Sequence, residues 1–292
     1  MNLKDFSLGI LITAIWGINF SVIKLGLNSL DPFILSGLRF LLCAFPLIFF
    51  IKKPDTDFKY IIYYGLSFGV GLWGIVYLAM FFGISAGISS LILQMGVFFT
   101  VILGYLVFNE PIDLIKKIGF LIATIGLILV LYITDGSVTT IGVCLVLIAA
   151  LFMAISNIIV KKTQTKQVLS FLVWSSIFAP IPLFLLAFIT QGSPAYVNFS
   201  SSLDLNAIFS ILFQVYPTTL FGYWIWNSLI NKYPVSSVAP LGLLVPIFGL
   251  LGSYLIFNEQ IGLLKSLACL LIITGLFINT FAHQLKKIKV TR

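Results

Sequence analysis

Apolar runs of about twenty residues, long enough to cross a bilayer as helices, follow one another along this chain with only short polar breaks between them. Ten can be read: Phe6–Leu25, Phe33–Ile51, Tyr60–Phe82, Ile88–Phe108, Leu114–Ile133, Ile141–Val160, Leu169–Ile189, Ala207–Ile230, Val238–Phe257 and Leu263–His283. The breaks carry residues that stop helices or start turns: Asp31-Pro32, Lys52–Lys59, Asp135-Gly136, Lys161–Lys166 and Gly192–Asp204. The pattern predicts an all-α membrane protein of ten transmembrane helices. The first run is too long for the apolar core of a signal peptide, and no small-x-small site follows it, so it is expected to remain as a helix.

The pattern also repeats. Tyr105-Leu-Val-Phe-Asn-Glu-Pro-Ile112 reads like Tyr254-Leu-Ile-Phe-Asn-Glu-Gln-Ile261, an offset of 259 − 110 = 149 residues in a chain of 292. Tyr105–Tyr132 against Tyr254–Phe281 gives 11 identities in 28. Asn19-x4-Lys24 in the first run matches Asn157-x4-Lys162 in the sixth, and Pro46 matches Pro182 in the second and seventh, which sets Arg39 against Ser175. The chain therefore divides into two related units, 6–135 and 140–283, each of five helices. An odd helix number forces the second unit into the membrane upside down. Inverted repeats of this kind are a transporter architecture.

Composition settles the solvent. Apolar residues make up 60%, charged residues 9%, and mean hydropathy is +1.13, where a soluble domain carries roughly 25% charge. The net charge of +8 does not call for nucleic acid here. With the N-terminus placed in the cytoplasm, 14 of the 17 Lys and Arg fall on that side, leaving only Lys24, Arg39 and Lys265 opposite. That is the positive-inside distribution, with both termini cytoplasmic. The three Cys lie within apolar runs and make no disulfide framework.

Several stretches carry a family resemblance. Trp16-Gly-Ile-Asn-Phe-Ser-Val-Ile-Lys24, then Pro32 and Gly37-Leu-Arg-Phe40, then Ala86-Gly-Ile-Ser-Ser-Leu-Ile-Leu-Gln94 and Val238-Ala-Pro-Leu-Gly-Leu-Leu-Val-Pro246, occur in order with the Asn-Glu repeat. Together they resemble the EamA-type branch of the drug/metabolite transporter superfamily over about residues 6–283. Within it the chain looks most like exporters of O-acetylserine and cysteine. The resemblance implies ten helices in two five-helix repeats, a bacterial inner-membrane location with both termini inside, and export of small metabolites. Gln260 and Pro111 stand where many relatives have Arg after the repeated Glu, so any role of that Arg is absent.

The candidate substrate-binding residues are Trp16, Asn19, Arg39, Tyr77, Gln94 and Asn157. Arg39 lies two turns into the second run with no mid-helix acid to pair with. It is either a bidentate clamp for a substrate carboxylate or a side chain reaching out to lipid phosphates. Asn19 and Asn157 occupy matched places, as ligand amides or as interhelical hydrogen bonds. Gln94 has only Leu243 as its counterpart, which suits an asymmetric site. Trp16 and Tyr77 lie deep enough to wall a cavity. Trp174 and Trp226 lie near run ends and read as interfacial anchors. Pro217, Pro240 and Pro246 predict interruptions in the eighth and ninth helices. Glu110 and Glu259 read as acids at the N-termini of helices 5 and 10.

No Gly-x4-Gly-Lys-Ser/Thr loop, metal-ligand cluster or nucleophile–base pair is present in the sequence, so no cofactor, metal or nucleotide is expected. The expected partners are a small-molecule substrate and the lipid bilayer. The alternative from another class is a membrane-embedded enzyme acting on a lipid-linked substrate, but that chemistry needs acids inside the membrane, and all nine acids here sit at helix ends or in loops. The reading is an exporter of small polar metabolites, amino acids or their derivatives, working by alternating access.

Overall fold

A computed structural model describes residues 1–197, 199–233 and 235–290, with side chains outside that description at a few of them, His283 and the tail beyond it included. Among the described residues the chain is helical throughout. Nine helices are long and apolar enough to cross a bilayer. In chain order, with one shorter helix between the fourth and fifth of them, they are α1 (Leu3–Leu27), α2 (Pro32–Phe49), α3 (Phe58–Phe81), α4 (Ala86–Phe108), α6 (Thr140–Thr163), α7 (Val168–Gln191), α8 (Leu205–Ile230), α9 (Ala239–Phe257) and α10 (Leu263–Ala282). The shorter one is α5 (Leu114–Val130), 17 residues, at the short end of the range that spans.

The breaks read from the sequence do cap the helices. Asp31 Oδ1 accepts from the backbone N–H groups of Phe33 (2.8 Å) and Ile34 (3.1 Å), ahead of Pro32 at the first helical position. Ser85, Thr139 and Asp204 cap α4, α6 and α8 in the same way. One reading changes. Glu110 and Glu259 do not begin helices 5 and 10. They follow Asn109 (φ 54°) and Asn258 (φ 52°), which end α4 and α9 in the left-handed conformation. Glu110 and Glu259 then donate their N–H groups back to the Gly104 and Ser253 carbonyls. The repeated Asn is a helix stop, because Asn tolerates positive φ better than other non-glycine residues.

The helix packing shows the inversion directly. A Cβ on Gly119 would fall 2.7 Å from the Gly275 carbonyl oxygen, and one on Gly126 would fall 2.9 Å from that of Ala268. As the number rises along α5 it falls along α10, so the two helices run antiparallel. Adding 149 carries Gly119 to Ala268 and Gly126 to Gly275. Each residue therefore packs on the copy of the other, the signature of a two-fold axis between them. The remaining contacts obey the same exchange: α1 packs on α8 and α9, and α6 packs on α3 and α4.

Two irregularities are duplicated as well. α3 widens into an i→i+5 turn over Gly65–Gly74, and α8 does so over Gln214–Phe221. Their starts differ by 214 − 65 = 149. α4 breaks at Gln94, between Ala86–Leu93 and Met95–Phe108. α9 starts as a tight 3-10 segment, Ala239–Leu244, and turns α-helical at Val245. Pro217 lies inside the wide turn of α8, and Pro240 and Pro246 flank the break in α9, as their positions predict.

The α5–α10 contact depends on small residues, since no side chain fits where helix backbones touch. Gly275→Val should overpack it at a cost of roughly 1–3 kcal/mol or more. A lowered thermal-unfolding midpoint in detergent is the expected reading. Gly262→Ala, with nothing within 4 Å, should leave the midpoint unchanged.

Candidate functional site

A cavity of about 390 Å³ lies between the two repeats, lined by α1–α4 and α6 from one side and α8–α10 from the other. Its floor is set by Arg39 on α2, which is fully buried. The wide turn of α8 reaches this guanidinium with Thr219. The Thr219 hydroxyl donates to the Gln214 carbonyl at 2.7 Å and accepts from Arg39 Nε (3.2 Å) and Nη2 (3.0 Å). Arg39 Nη1 donates to the Tyr77 hydroxyl at 3.3 Å. The Trp73 ring lies beneath, 4.3 Å from the guanidinium carbon. No carboxylate is among the lining residues or the hydrogen-bond partners of Arg39. Arg39 does not reach for the lipid surface; that alternative from the sequence is excluded by its burial.

Further donors face the same space. Asn19 is buried, accepts from the Thr218 hydroxyl at 3.1 Å, and leaves its amide nitrogen without a partner. The Trp73 indole nitrogen is also buried without one. Both residues line the cavity. Unpaired buried donors cost free energy comparable to a lost hydrogen bond, and these two belong to residues at the cavity wall.

The upper wall is aromatic. Trp16 donates its indole N–H to the Thr218 carbonyl at 3.0 Å, which fixes the ring. Tyr223 and Trp226 pack on it with ring centroids 5.3 and 5.1 Å away. Gln94, at the break in α4, donates to the Gly242 carbonyl in the 3-10 start of α9 at 3.4 Å. The two helix breaks thus meet across the pseudo-two-fold axis. Asn157 is exposed to the cavity and donates to Thr100 at 3.1 Å.

Of the six residues singled out from sequence, Trp16, Asn19, Arg39, Gln94 and Asn157 line this one cavity. Tyr77 is buried behind it and touches Arg39 instead. Trp226 is not an interfacial anchor: it lines the cavity and packs on Trp16. Trp174 donates to the Ile51 carbonyl at 2.9 Å and so ties α7 to the end of α2. Thr218 and Thr219 were missed. Their signal was a hydroxyl pair beside a proline in an otherwise apolar run.

The two ends of the bundle differ. At the end away from the termini, Lys265 is buried, its side chain 2% exposed, between Glu259 (2.7 Å) and Asp135 (2.8 Å). Ser85 and Ser253 donate to the Glu259 carboxylate. This network joins α4, α9, α10 and the loop after α5. Burial works to raise the Asp135 carboxyl, but its hydrogen bonds from Lys265 and Ser137 outweigh that and hold it below its usual value. At the terminal end, the repeat-related Glu110 pairs with Lys161, and both side chains are about half exposed (51% and 49%). Trp226, Ala239, Asn157 and Thr280 place the cavity mouth in that half. The cavity is sealed at one end and faces the other.

Known proteins resemble this chain along its whole length. The EamA-like transporter family matches residues 4–132 and again 140–281. A protein of Escherichia coli (strain K12) named "Probable amino-acid metabolite efflux pump" is 36% identical over 98% of both chains. A protein of the same name from Salmonella typhimurium is 34% identical, again over 98% of both. A solved crystal structure superposes with a TM-score of 0.59 at 12% identity, covering 97% of this chain and 99% of that one. At that identity the superposition bears on the fold alone.

Proposed function

We propose, for a chain that belongs to the EamA-like transporter family, that it exports amino acids or closely related metabolites across a bacterial inner membrane. The observation that carries this reading is Arg39: a fully buried guanidinium at the floor of a cavity, held by hydroxyls and aromatic rings with no carboxylate to neutralise it. An intramembrane charge is a functional feature by default, because it is costly unless something binds it. Guanidinium geometry suits a carboxylate in two parallel hydrogen bonds. An amino acid supplies that carboxylate. Its ammonium has the amide oxygens of Gln94 and Asn157 and the faces of Trp16, Tyr223 and Trp226 within the same cavity. The pumps of similar sequence, named for amino-acid metabolites, support the class; cysteine and O-acetylserine are the first compounds to try. The same relatives favour transport over a membrane-embedded enzyme.

The mechanism is alternating access. Substrate enters from the terminal end, which the distribution of Lys and Arg assigns to the cytoplasm. The two repeats then rock about the α5–α10 pair. The buried network around Lys265 opens as the half-exposed pairs at the other end close. The pseudo-two-fold relation between the halves supports this exchange, since each half carries the parts the other uses.

Three measurements test the reading. Arg39→Lys keeps the charge but not the two-pronged geometry. Efflux from vesicles at sub-saturating substrate should fall roughly tenfold or more at equal membrane expression; near-normal efflux would remove Arg39 from the site. Single-Cys labelling on a Cys-free background should reach positions 192–204 from outside the cell and leave positions 161–166 protected, and the reverse pattern overturns the orientation. Finally, among the described residues no Asp, Glu or His lines the cavity, so these residues offer no proton carrier there. In vesicles with the membrane potential clamped, a pH gradient alone should not drive substrate against its own gradient; accumulation would refute this.

A further inference from the structure

We propose that Thr219 is the positioning residue that orients Arg39 for a carboxylate and leaves its charge unneutralised. The inference rests on the reading that Arg39 binds the carboxylate of the substrate. A hydroxyl has one proton and two lone pairs. The Thr219 proton is committed to the Gln214 carbonyl at 2.7 Å. Both lone pairs are therefore left for Arg39, and one oxygen takes Nε at 3.2 Å and Nη2 at 3.0 Å together. That contact locks one edge of the planar group. Tyr77 takes one N–H of Nη1. A guanidinium has five N–H donors, so two remain, one on each terminal nitrogen. Those two are left for a carboxylate.

The wide turn makes this contact. Thr219 and Gln214 are five residues apart, and the i→i+5 turn over Gln214–Phe221 brings the hydroxyl back over that carbonyl. Wide turns of this kind are common at functional sites. The repeat separates what belongs to the scaffold from what belongs to the site. Both halves have the wide turn. Only the second half has the hydroxyl: 219 − 149 = 70, and residue 70 is Val70. Only the first half has the charge: the Pro46–Pro182 match places Ser175 opposite Arg39, and the Ser175 hydroxyl is buried without a partner. The charge and its cradle each occur once, on opposite repeats, and meet at the cavity floor. A carboxylate in place of Thr219 would hold Arg39 as well but would cancel its charge. A hydroxyl orients it and leaves the charge for the ligand.

The test uses the full-length protein in lipid nanodiscs and two probes, O-acetyl-L-serine and its carboxamide, at mildly acidic pH. Wild type should bind the carboxylate more tightly than the carboxamide. Thr219→Val should weaken carboxylate binding about tenfold, the scale of one charged hydrogen bond, and leave carboxamide binding unchanged. Thr219→Ser, which keeps the hydroxyl, should restore the discrimination. Thr219→Ala removes the same hydroxyl with less bulk and is read in the same way if the Val variant does not fold. Equal weakening of both probes means a purely structural role and overturns the proposal. So does retained discrimination in Thr219→Val when Arg39→Lys abolishes it, an outcome that leaves the reading of Arg39 standing. Discrimination that survives Arg39→Lys sinks that reading itself, as does a wild-type protein that binds both probes alike or neither.

Discussion

A permanently charged guanidinium buried among apolar helices costs about 2.5–3.5 kcal/mol on insertion-derived scales, and the centre of this protein is arranged around that cost. Arg39 cannot shed its proton to escape it. The bundle offsets part of the cost with dipoles and π faces: the Thr219 and Tyr77 hydroxyls and the Trp73 ring. None of these cancels the charge. The helix that supplies Thr219 has to be wound wider than an α-helix to do so, and the α1 residues Trp16 and Asn19 are in turn fixed by the carbonyl and hydroxyl of Thr218. The hydroxyl that α8 places in its wide turn, the aromatic wall and the cavity floor thus serve to hold one cation in place.

The two repeats separate fold from function. Features present in both belong to the fold: the left-handed Asn at the ends of α4 and α9, the wide turns of α3 and α8, the breaks at Gln94 and Leu243, and the glycine contacts of α5 with α10. Features present in one belong to the site or to its gating. Arg39 faces Ser175, Thr219 faces Val70, Gln94 faces Leu243 and Ser253 faces Gly104. The last pair is instructive. The Glu259 carboxylate accepts from the Ser253 hydroxyl. The Glu110 carboxylate lies over Gly104 in the matching place, where a Cβ would stand 2.8 Å from its oxygen. The pose is inherited; the hydrogen bond is not.

What could be read from the sequence followed from periodicity and from the bilayer. Lipid satisfies no backbone group, so long apolar runs must be helices, and all ten runs are helical in the structure. Arg39, Asn19 and Gln94 stood out because polar side chains are rare there. The failures have separate causes. Trp226 was read as an anchor from its place near a run end, and that place does not show which way a side chain faces. Thr219 was missed because regular helical spacing does not describe a segment of i→i+5 turns. Glu110 and Glu259 were placed at the starts of helices 5 and 10 because the residue that ends the preceding helix in each copy is an asparagine, Asn109 or Asn258, and not the glycine that usually marks a left-handed stop. Lys265 entered only as one of three basic residues on the outer side; its pairing with Asp135, 130 residues away in the other repeat, is revealed by no local pattern.

The difference between the two ends bears on how such a bundle can move. A half-exposed pair such as Glu110–Lys161, which is formed while the cavity faces that end, contributes about 0–1 kcal/mol and holds little in place. The network around Lys265 is of another kind. Each of its charges is partnered and further hydrogen-bonded, the condition under which a buried ion group holds together, and removing one member strands the others. Closure at that end is therefore cooperative: Ser85, Asp135, Glu259 and Lys265 come from four separate segments and must part together. A latch that yields all at once suits a two-state rocking motion better than gradual widening would. None of its members touches Arg39, so binding at the cavity floor acts on it through the movement of helices, among them α4 and α9, which line the cavity and carry part of the network.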